Sequence, residues 1–261
     1  MINIEKIKDY IKQLGEKAPR IIGYEITDST NTRAKEYALS DSDRSNTVAF
    51  IADAQSAGRG RLGRRFVSEA GAGLYISILS YKKADSALIT KATAAAAVAL
   101  KRAICSLCEA QPMIKWVNDL YLDEKKLAGI LCECELDATS GKWRLICGMG
   151  INVYKNAINS EISDIATSLE DSGEKIEREL LAARMIIEYA RAIELIESEE
   201  LLSEYRESSL ILGKKVKVIP IGKEPYTATA MAVNDDFSLE IVLENGESQR
   251  LFSGEVSTKI I

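Results

Sequence analysis

The sequence predicts an α+β protein: a mixed β-sheet backed by helices, followed by a small all-β unit. Three observations carry this. Apolar runs at 47–53 and 73–80 read as buried strands flanking a polar loop, and further strand patterns follow at 113–117, 120–123, 128–136 and 143–153. Helical patterns lie among and after them, an alanine-rich one at 91–109 and an amphipathic one from Glu174 to about Ser208. Beyond Gly213 the chain breaks into short strands separated by turn residues, at 214–220, 226–233, 239–243, 248–252 and 256–260. That order suits a sheet-and-helix domain over 1–210 and a small barrel over 211–261.

The elements follow in order. Ile4, Ile7, Ile11 and Leu14 fall on one stripe, which places a single short helix within residues 1–20. A second helix is expected from Thr30 to Leu39, before the first buried strand. Asp123-Glu124-Lys125 and Ala138-Thr139-Ser140-Gly141 carry the polar chemistry of hairpin turns. Between 174 and 208 the apolar residues recur mostly at three and four, which makes one or two amphipathic helices.

Composition removes several function classes. With 261 residues, 46% of them hydrophobic, the chain can bury a substantial core. It has no histidine, so no Ser-His or Cys-His catalytic scheme can operate. Its five cysteines, an odd number, argue against a disulfide framework. Cys105-x-x-Cys108 and Cys132-x-Cys134 do not have the usual spacing of a structural zinc site, and core packing is the reading they favour. The N-terminus mixes charge with apolar residues, unlike a signal peptide. The longest apolar run, Ala94 to Leu100, is far short of the roughly 20 residues that span a bilayer. A cytoplasmic protein is expected, and a pI near 5.2 counts against direct DNA recognition.

Against the net charge of −5, the segment Gly58-Arg59-Gly60-Arg61-Leu62-Gly63-Arg64-Arg65 concentrates four arginines and three glycines. Glycines let backbone N–H groups approach a ligand, and arginines offer planar forks of donors that match phosphate and carboxylate oxygens. An anion clamp is expected here, mobile when empty and ordered by a polyanion. A solvated basic turn, or an Arg-Gly segment that binds RNA without sequence preference, is the plainer alternative.

The wider stretch Ala52-Asp53-Ala54-Gln55-Ser56-Ala57-Gly58-Arg59-Gly60-Arg61-Leu62-Gly63-Arg64 resembles the signature of biotin protein ligases. Other family motifs flank it in order. Ser29-Thr30-Asn31 lies upstream; Lys115-Trp116-Val117-Asn118-Asp119-Leu120-Tyr121, Lys126-Leu127-Ala128-Gly129-Ile130-Leu131 and Gly148-Met149-Gly150-Ile151-Asn152-Val153 lie downstream. The likeness is detailed over residues 21 to 155. It implies the fold shared by biotin ligases and class II aminoacyl-tRNA synthetases, with an SH3-like C-terminal barrel. Some members carry an N-terminal winged helix-turn-helix. The short segment before the first motif has no room for one, so the single-function type is expected.

The resemblance implies ATP-dependent activation of biotin as biotinyl-5′-AMP and transfer to a lysine of a biotin carboxyl carrier protein. Ser29, Thr30, Asn31 and Gln55 would line the biotin pocket, where neutral groups suit a neutral urea. Gly58, Arg59, Gly60 and Arg61 would close over it, and Gly129 would let the backbone approach the ligand. Arg59 and Arg61 would also serve ATP, joined by Arg64, Phe66, Asn118 and Asn152. Lys126 would bridge the biotin carboxylate and the α-phosphate, and Asp119 would accept a proton from the target lysine. Lys126, Arg61 and Asp119 are thus the expected catalytic set. Mg2+ is expected to ride on ATP, near Asn118, with no protein-held metal.

Two positions depart from the family pattern. Val117 stands where proline is common, and Phe66 where an aromatic residue, often tryptophan, stacks on adenine. Trp116 reads as core. The rival readings are a lipoate ligase or octanoyl transferase and a non-catalytic biotin sensor. A monomer or a homodimer is expected.

Overall fold

The computed structural model describes residues 1–40, 46–83, 88–138, 140–220, 222–252 and, as backbone, 256–260. The first domain runs α1 (Ile4–Gln13), β1 (Arg20–Thr27), α2 (Thr30–Ser40), β2 (Val48–Gln55), β3 (Gly73–Lys82) and α3 (Leu88–Cys105). It continues through β4 (Met113–Lys115), β5 (Asp119–Leu122), β6 (Lys125–Asp137), β7 (Lys142–Asn152), α4 (Arg178–Glu194) and α5 (Glu199–Glu207). Strands β1 to β7 form one sheet in the order β1-β2-β3-β7-β6-β5-β4. Only β1 and β2 pair in parallel, so the sheet is mixed, as the sequence predicts.

The period-2 alternation of the strands sorts the two faces. Ala49 and Ile51 of β2, and Leu74, Ile76 and Ile78 of β3, point into the main core with α1, α3 and α4. Helix α3 is buried at every residue from Ala94 to Leu100, and its alanines let it lie close against β6, β7 and α4. Helix α1 starts on an Asn3 cap, whose side chain accepts from Lys6 N, and buries Ile7 and Ile11. Fully burying each such isoleucine contributes about 1.5–3 kcal/mol. On the opposite face α2 packs Ala34 and Ala38 against Val48, Phe50, Leu79 and Ile146. This one short helix covers only part of its face, and the uncovered part carries the cleft described below.

Several elements differ from the sequence expectation. Strand β1 is not among the expected strands; it is an edge strand that buries only Ile21, so its pattern lacks clean alternation. Helix α3 spans Leu88–Cys105 rather than 91–109, and its chain leaves the helix through turns at 106–109. The first hairpin turn contracts to Asp123 and Glu124, both with positive φ, 49° and 63°, the geometry of a two-residue turn. Lys125 therefore opens β6 instead of closing the turn. In the second expected turn, Gly141 has φ 65°, and Thr139 lies outside the described residues. The 174–208 stretch resolves into two helices, separated where Ser198 caps α5 by accepting from Leu201 N.

The C-terminal strands β8 (Lys215–Pro220), β9 (Tyr226–Val233), β10 (Leu239–Leu243), β11 (Ser248–Leu251) and β12 (Val256–Ile260) form a separate antiparallel sheet. Its order is β11-β10-β9-β8-β12, which agrees with a small SH3-like unit. The indole Nε1 of Trp116 donates to Phe237 O at 2.9 Å, and the Tyr205 hydroxyl donates to Val117 O at 3.2 Å. The rings of Tyr205 and Phe237 meet edge to face, 5.3 Å apart. Helix α5 and the β9–β10 connection thus buttress the 116–118 turn, and Trp116 is buried as the sequence predicts. The Trp116–Val117 peptide is cis, and Val117 is fully buried.

Candidate active site

Strand register brings one row of residues into line across the face that α2 leaves open. Ala52 pairs with Tyr75, Tyr75 with Gly150, Gly150 with Gly129, and Gly129 with Asp119. The neighbouring row runs Phe50, Ser77, Gly148 and Leu131. Between Tyr75 and Asp119 the first row is therefore glycine, and the sheet sinks there into a cleft floor. At Gly148 the close approach is compulsory: an added Cβ would lie 2.1 Å from Asn31 Oδ1.

One end of the cleft is polar and neutral. Gln55 Oε1 accepts from the backbone N–H of Thr30 at 2.9 Å and from Thr30 Oγ1 at 3.2 Å, while its Nε2 donates to Ser68 Oγ at 2.9 Å. Ser77 Oγ lies 2.6 Å from both Thr30 Oγ1 and Asn31 Oδ1. Asn31 Nδ2 in turn donates to Leu131 O at 3.1 Å and to Glu133 Oε2 at 2.9 Å. Ser29, Thr30 and Asn31 are all buried at the start of α2. The amide of Gln55 is fixed in orientation because its oxygen faces a backbone donor.

The other end is charged. Arg61 Nη1 donates to Asn118 Oδ1 at 2.8 Å, and Asn118 Nδ2 donates to Ile130 O at 2.9 Å. Arg61 Nη2 is buried and has no hydrogen-bond partner. Burial pulls the guanidinium pKa down, against the pull of Asp119 upward. Lys126 Nζ lies 2.7 Å from Asp119 Oδ1. The backbone of Lys126 is pinned on both sides, its N–H donating to Ile165 O and its carbonyl accepting from Thr167 N, each at 2.9 Å. Tyr121 stands beside this group with its pKa pushed up to about 12, chiefly by burial.

The Gly-Arg loop closes over the cleft. Its backbone bonds to itself: Gly60 N donates to Arg64 O at 2.7 Å and Phe66 N to Gly58 O at 2.9 Å. Leu62, Arg64 and Arg65 remain exposed, so these hydrogen bonds, not apolar packing, give the loop its form. Gly58 is required at its base, where a Cβ would meet Phe66 O at 2.4 Å. Arg59 turns to the sheet and pairs with Glu133.

Most of the expected site residues converge here. Ser29, Thr30, Asn31 and Gln55 line the polar end, and Arg61, Arg64, Asn118, Asp119 and Lys126 the charged one. Arg59, Gly60, Phe66 and Gly129 complete the lining. Two do not line it: Gly58 serves the base of the loop, and Asn152 is buried with its Nδ2 donating to Thr167 O at 3.1 Å. Phe66 lies over the glycine floor, where a Cβ on Gly150 would be 2.7 Å from its ring, and its ring meets Tyr75 edge to face at 6.4 Å. The space above Gly129 is taken by Lys126, whose Cε and Nζ would be 3.3 Å from a Cβ there. Sequence reasoning did not single out Tyr75, Ser77 or Glu133; their signal was the strand alternation that puts them on the glycine face.

Cys132 and Cys147 are buried and face each other across β6 and β7, whereas Cys105, Cys108 and Cys134 are only partly buried; all five cysteines are free thiols. No described helix is long and apolar enough to cross a membrane.

Residues 23–152 match the model of the biotin/lipoate A/B protein ligase family. The biotin–[acetyl-CoA-carboxylase] ligase of Mycobacterium tuberculosis is 31% identical over 217 residues, covering 80% of this chain and 78% of that protein. The bifunctional ligase/repressor BirA of Escherichia coli is 30% identical over 215 residues, covering 81% of this chain. This chain spans 66% of that relative's length, and 49% of the length of BirA from Bacillus subtilis. Among solved structures, the biotin protein ligase from Aquifex aeolicus in complex with biotin and ATP superposes with a TM-score of 0.79 at 29% identity, covering 93% of this chain and 99% of that one. By sequence, fold and the residues gathered in its cleft, the chain belongs to the biotin/lipoate A/B protein ligase family.

Proposed function

We propose that this chain is an ATP-dependent biotin protein ligase. It activates biotin as biotinyl-5′-AMP and transfers the biotinyl group to one lysine of a biotin carboxyl carrier protein. The observation that carries the reading is Arg61, whose buried Nη2 has no partner beside the Lys126–Asp119 pair. A buried guanidinium with a free donor is costly unless an anion takes it, and a phosphate oxygen is the ligand its fork fits. The relatives' names, and the biotin and ATP bound in the Aquifex enzyme, supply the substrate pair.

The chemistry follows from the two ends of the cleft. The ureido edge of biotin suits the neutral network of Ser29, Thr30 and Gln55, which leaves the carboxylate tail pointing toward the charged end. There Lys126 and Arg61 offset the repulsion between that carboxylate and the α-phosphate as they meet. The carboxylate oxygen attacks phosphorus and pyrophosphate leaves. In the second step the acceptor amine attacks the mixed anhydride and AMP leaves. Asp119 takes the proton of the incoming ammonium, since a lysine of ordinary pKa, ~10.4, is almost wholly protonated at neutral pH.

Asn118 Oδ1 and Asp119 Oδ1 are engaged by Arg61 and Lys126, so these donors fit an ion delivered on ATP rather than one held in advance by the protein. Mg2+ on the nucleotide would neutralise phosphate charge. The chemistry is assigned to residues 1–210, with 211–261 as a supporting unit behind the 116–118 turn.

The deciding experiment is pyrophosphate release from ATP with biotin, lipoate or octanoate as the acid. Release with biotin alone supports the proposal. Release with lipoate or octanoate alone would move the chain to the other branch of its family. Tight biotin binding without any release would make it a sensor.

A further inference from the structure

One cleft-side carboxylate has no part in the scheme above. Glu133 lies on β6 beyond the glycine floor, in register with Ile146 and on the same face as Leu131 and Gly129. Its Oε2 receives two donors from different parts of the chain: Arg59 Nη2 from the Gly-Arg loop, and Asn31 Nδ2 from α2 at 2.9 Å. Asn31 is itself fixed, by Leu131 O and by Ser77. The loop is therefore tied to the sheet at a point that does not move with the loop.

The tie also decides what Arg59 does. Of the loop arginines, Arg61 enters the cleft with a free donor, Arg64 and Arg65 are exposed, and Arg59 spends its charge on Glu133. A guanidinium held by a carboxylate on the sheet is poorly placed to neutralise a phosphate. It is well placed to act as a hinge pin that keeps Arg61 over the cleft.

We propose that Glu133 is a positioning residue: through Arg59 it latches the Gly-Arg loop to β6, and the latch slows the escape of the acyl-adenylate. Arg59 is thereby a latch residue rather than a phosphate ligand. The second half of this inference rests on the ligase reading; the first half does not. Glu133 and Arg59 are both partly exposed, which sets the scale: about a two- to fivefold effect for one ion pair at such a site.

The test uses the full-length protein and two readouts. Limited trypsin digestion of the ligand-free protein, followed by mass spectrometry, reports cleavage after the loop arginines without reference to any reaction. Glu133→Gln should raise the rate of cleavage in 59–65 about two- to fivefold, with cleavage elsewhere and the melting temperature unchanged. The reversed pair, Glu133→Arg with Arg59→Glu, should return cleavage after Arg61, Arg64 and Arg65 toward the wild-type rate. The second readout is the rate at which preformed biotinyl-5′-AMP is lost from the protein, which should rise with Glu133→Gln and fall again in the reversed pair.

Unchanged loop cleavage in Glu133→Gln would overturn the latch, as would a reversed pair no better than the single variants. If Glu133→Gln lowered the melting temperature or speeded cleavage throughout, Arg59→Gln at its exposed position decides in its place: faster loop cleavage supports the latch, and none refutes it. Should the wild-type protein bind no biotinyl-5′-AMP, the ligase reading fails while the digestion still judges the latch. Faster cleavage without faster adenylate loss would refute the retention role.

Discussion

Lys126 Nζ and Asp119 Oδ1 stand 2.7 Å apart, joining the start of β6 to the start of β5 across the mouth of the cleft. The two residues assigned to successive steps thus hold each other. In the proposed scheme, turning Lys126 toward the biotin carboxylate and the α-phosphate would free Asp119 to accept the incoming lysine's proton.

Lys126→Ala is expected to slow adenylation by roughly 10²–10³, the scale for removing one preorganised charge from a transition state. Biotin binding, measured by calorimetry, should survive better than turnover. Asp119→Asn should slow transfer from preformed adenylate more than adenylation, since a base for the acceptor amine acts only in the second step. Equal losses in both half-reactions would reduce Asp119 to an anchor for Lys126. A double variant no worse than Lys126→Ala in adenylation would show that the pair acts as a unit in that step.

Arg61→Gly removes a cleft guanidinium whose buried Nη2 has no hydrogen-bond partner among the described residues. Losing a charge-assisted contact to phosphate should weaken retention of the adenylate by about 2–3 kcal/mol, or roughly 30- to 150-fold. Leaked biotinyl-5′-AMP acylates exposed lysines without selection. Incubating the variant with biotin, ATP and an unrelated lysine-rich protein should therefore label the bystander. An unlabelled bystander, with pyrophosphate still released, removes Arg61 from retention.

The parts of the site that repeat a local chemical pattern were legible in the sequence. The Gly-Arg run, Gln55 at the end of a buried strand, and the Lys126 to Leu131 stretch converge in one cleft. What was hidden depends on long-range register. Ser77 and Glu133 are ordinary strand residues until β3, β7 and β6 pair, and only then do they meet Asn31 from another face of the chain. Asn152, two residues past Gly150 and on the same face of β7, sits at the end of the strand beyond the cleft lining and is spent on Thr167. Strand β1 escaped because an edge strand buries one residue where a central strand buries nearly all.

Asp28 gives the fold an acid-sensitive contact beside the polar end. Burial alone would raise its pKa, but the N–H of Ser29 at 2.6 Å, the Thr27 hydroxyl and the Arg33 guanidinium outweigh burial and hold it below the usual carboxylate value. A depressed folded pKa means stability that is present above the unfolded value, ~3.9, and is lost as pH falls through the folded value. Asp28→Asn should therefore lower stability at pH 7 by about 0.3–1 kcal/mol, modest because the side chain is well exposed. Urea unfolding at pH 7 and pH 3 should show the gap between variant and wild type closing at the lower pH. A gap that stays constant would mean that the charge contributes nothing.

The floor glycines separate stability from catalysis. At Gly148 a new Cβ would sit 2.1 Å from Asn31 Oδ1 and 2.9 Å from its Cγ. Asn31 cannot yield cheaply, because its amide is held by Ser77, Leu131 O and Glu133, and moving it would strand buried polar groups. Gly148→Ala should cost about 1–3 kcal/mol of stability by overpacking, read from urea unfolding. At Gly129 the same methyl meets the Cε and Nζ of Lys126 at 3.3 Å and the edge of Phe66 at 3.4 Å, the ends of side chains that can shift aside. Gly129→Ala should unfold at nearly the wild-type urea concentration, yet slow adenylation by at least about tenfold, because a displaced Lys126 no longer points its charge where the transition state needs it. Stability lost at Gly129 with the rate intact, or at neither position, would mean that the glycines do not set the depth of the cleft.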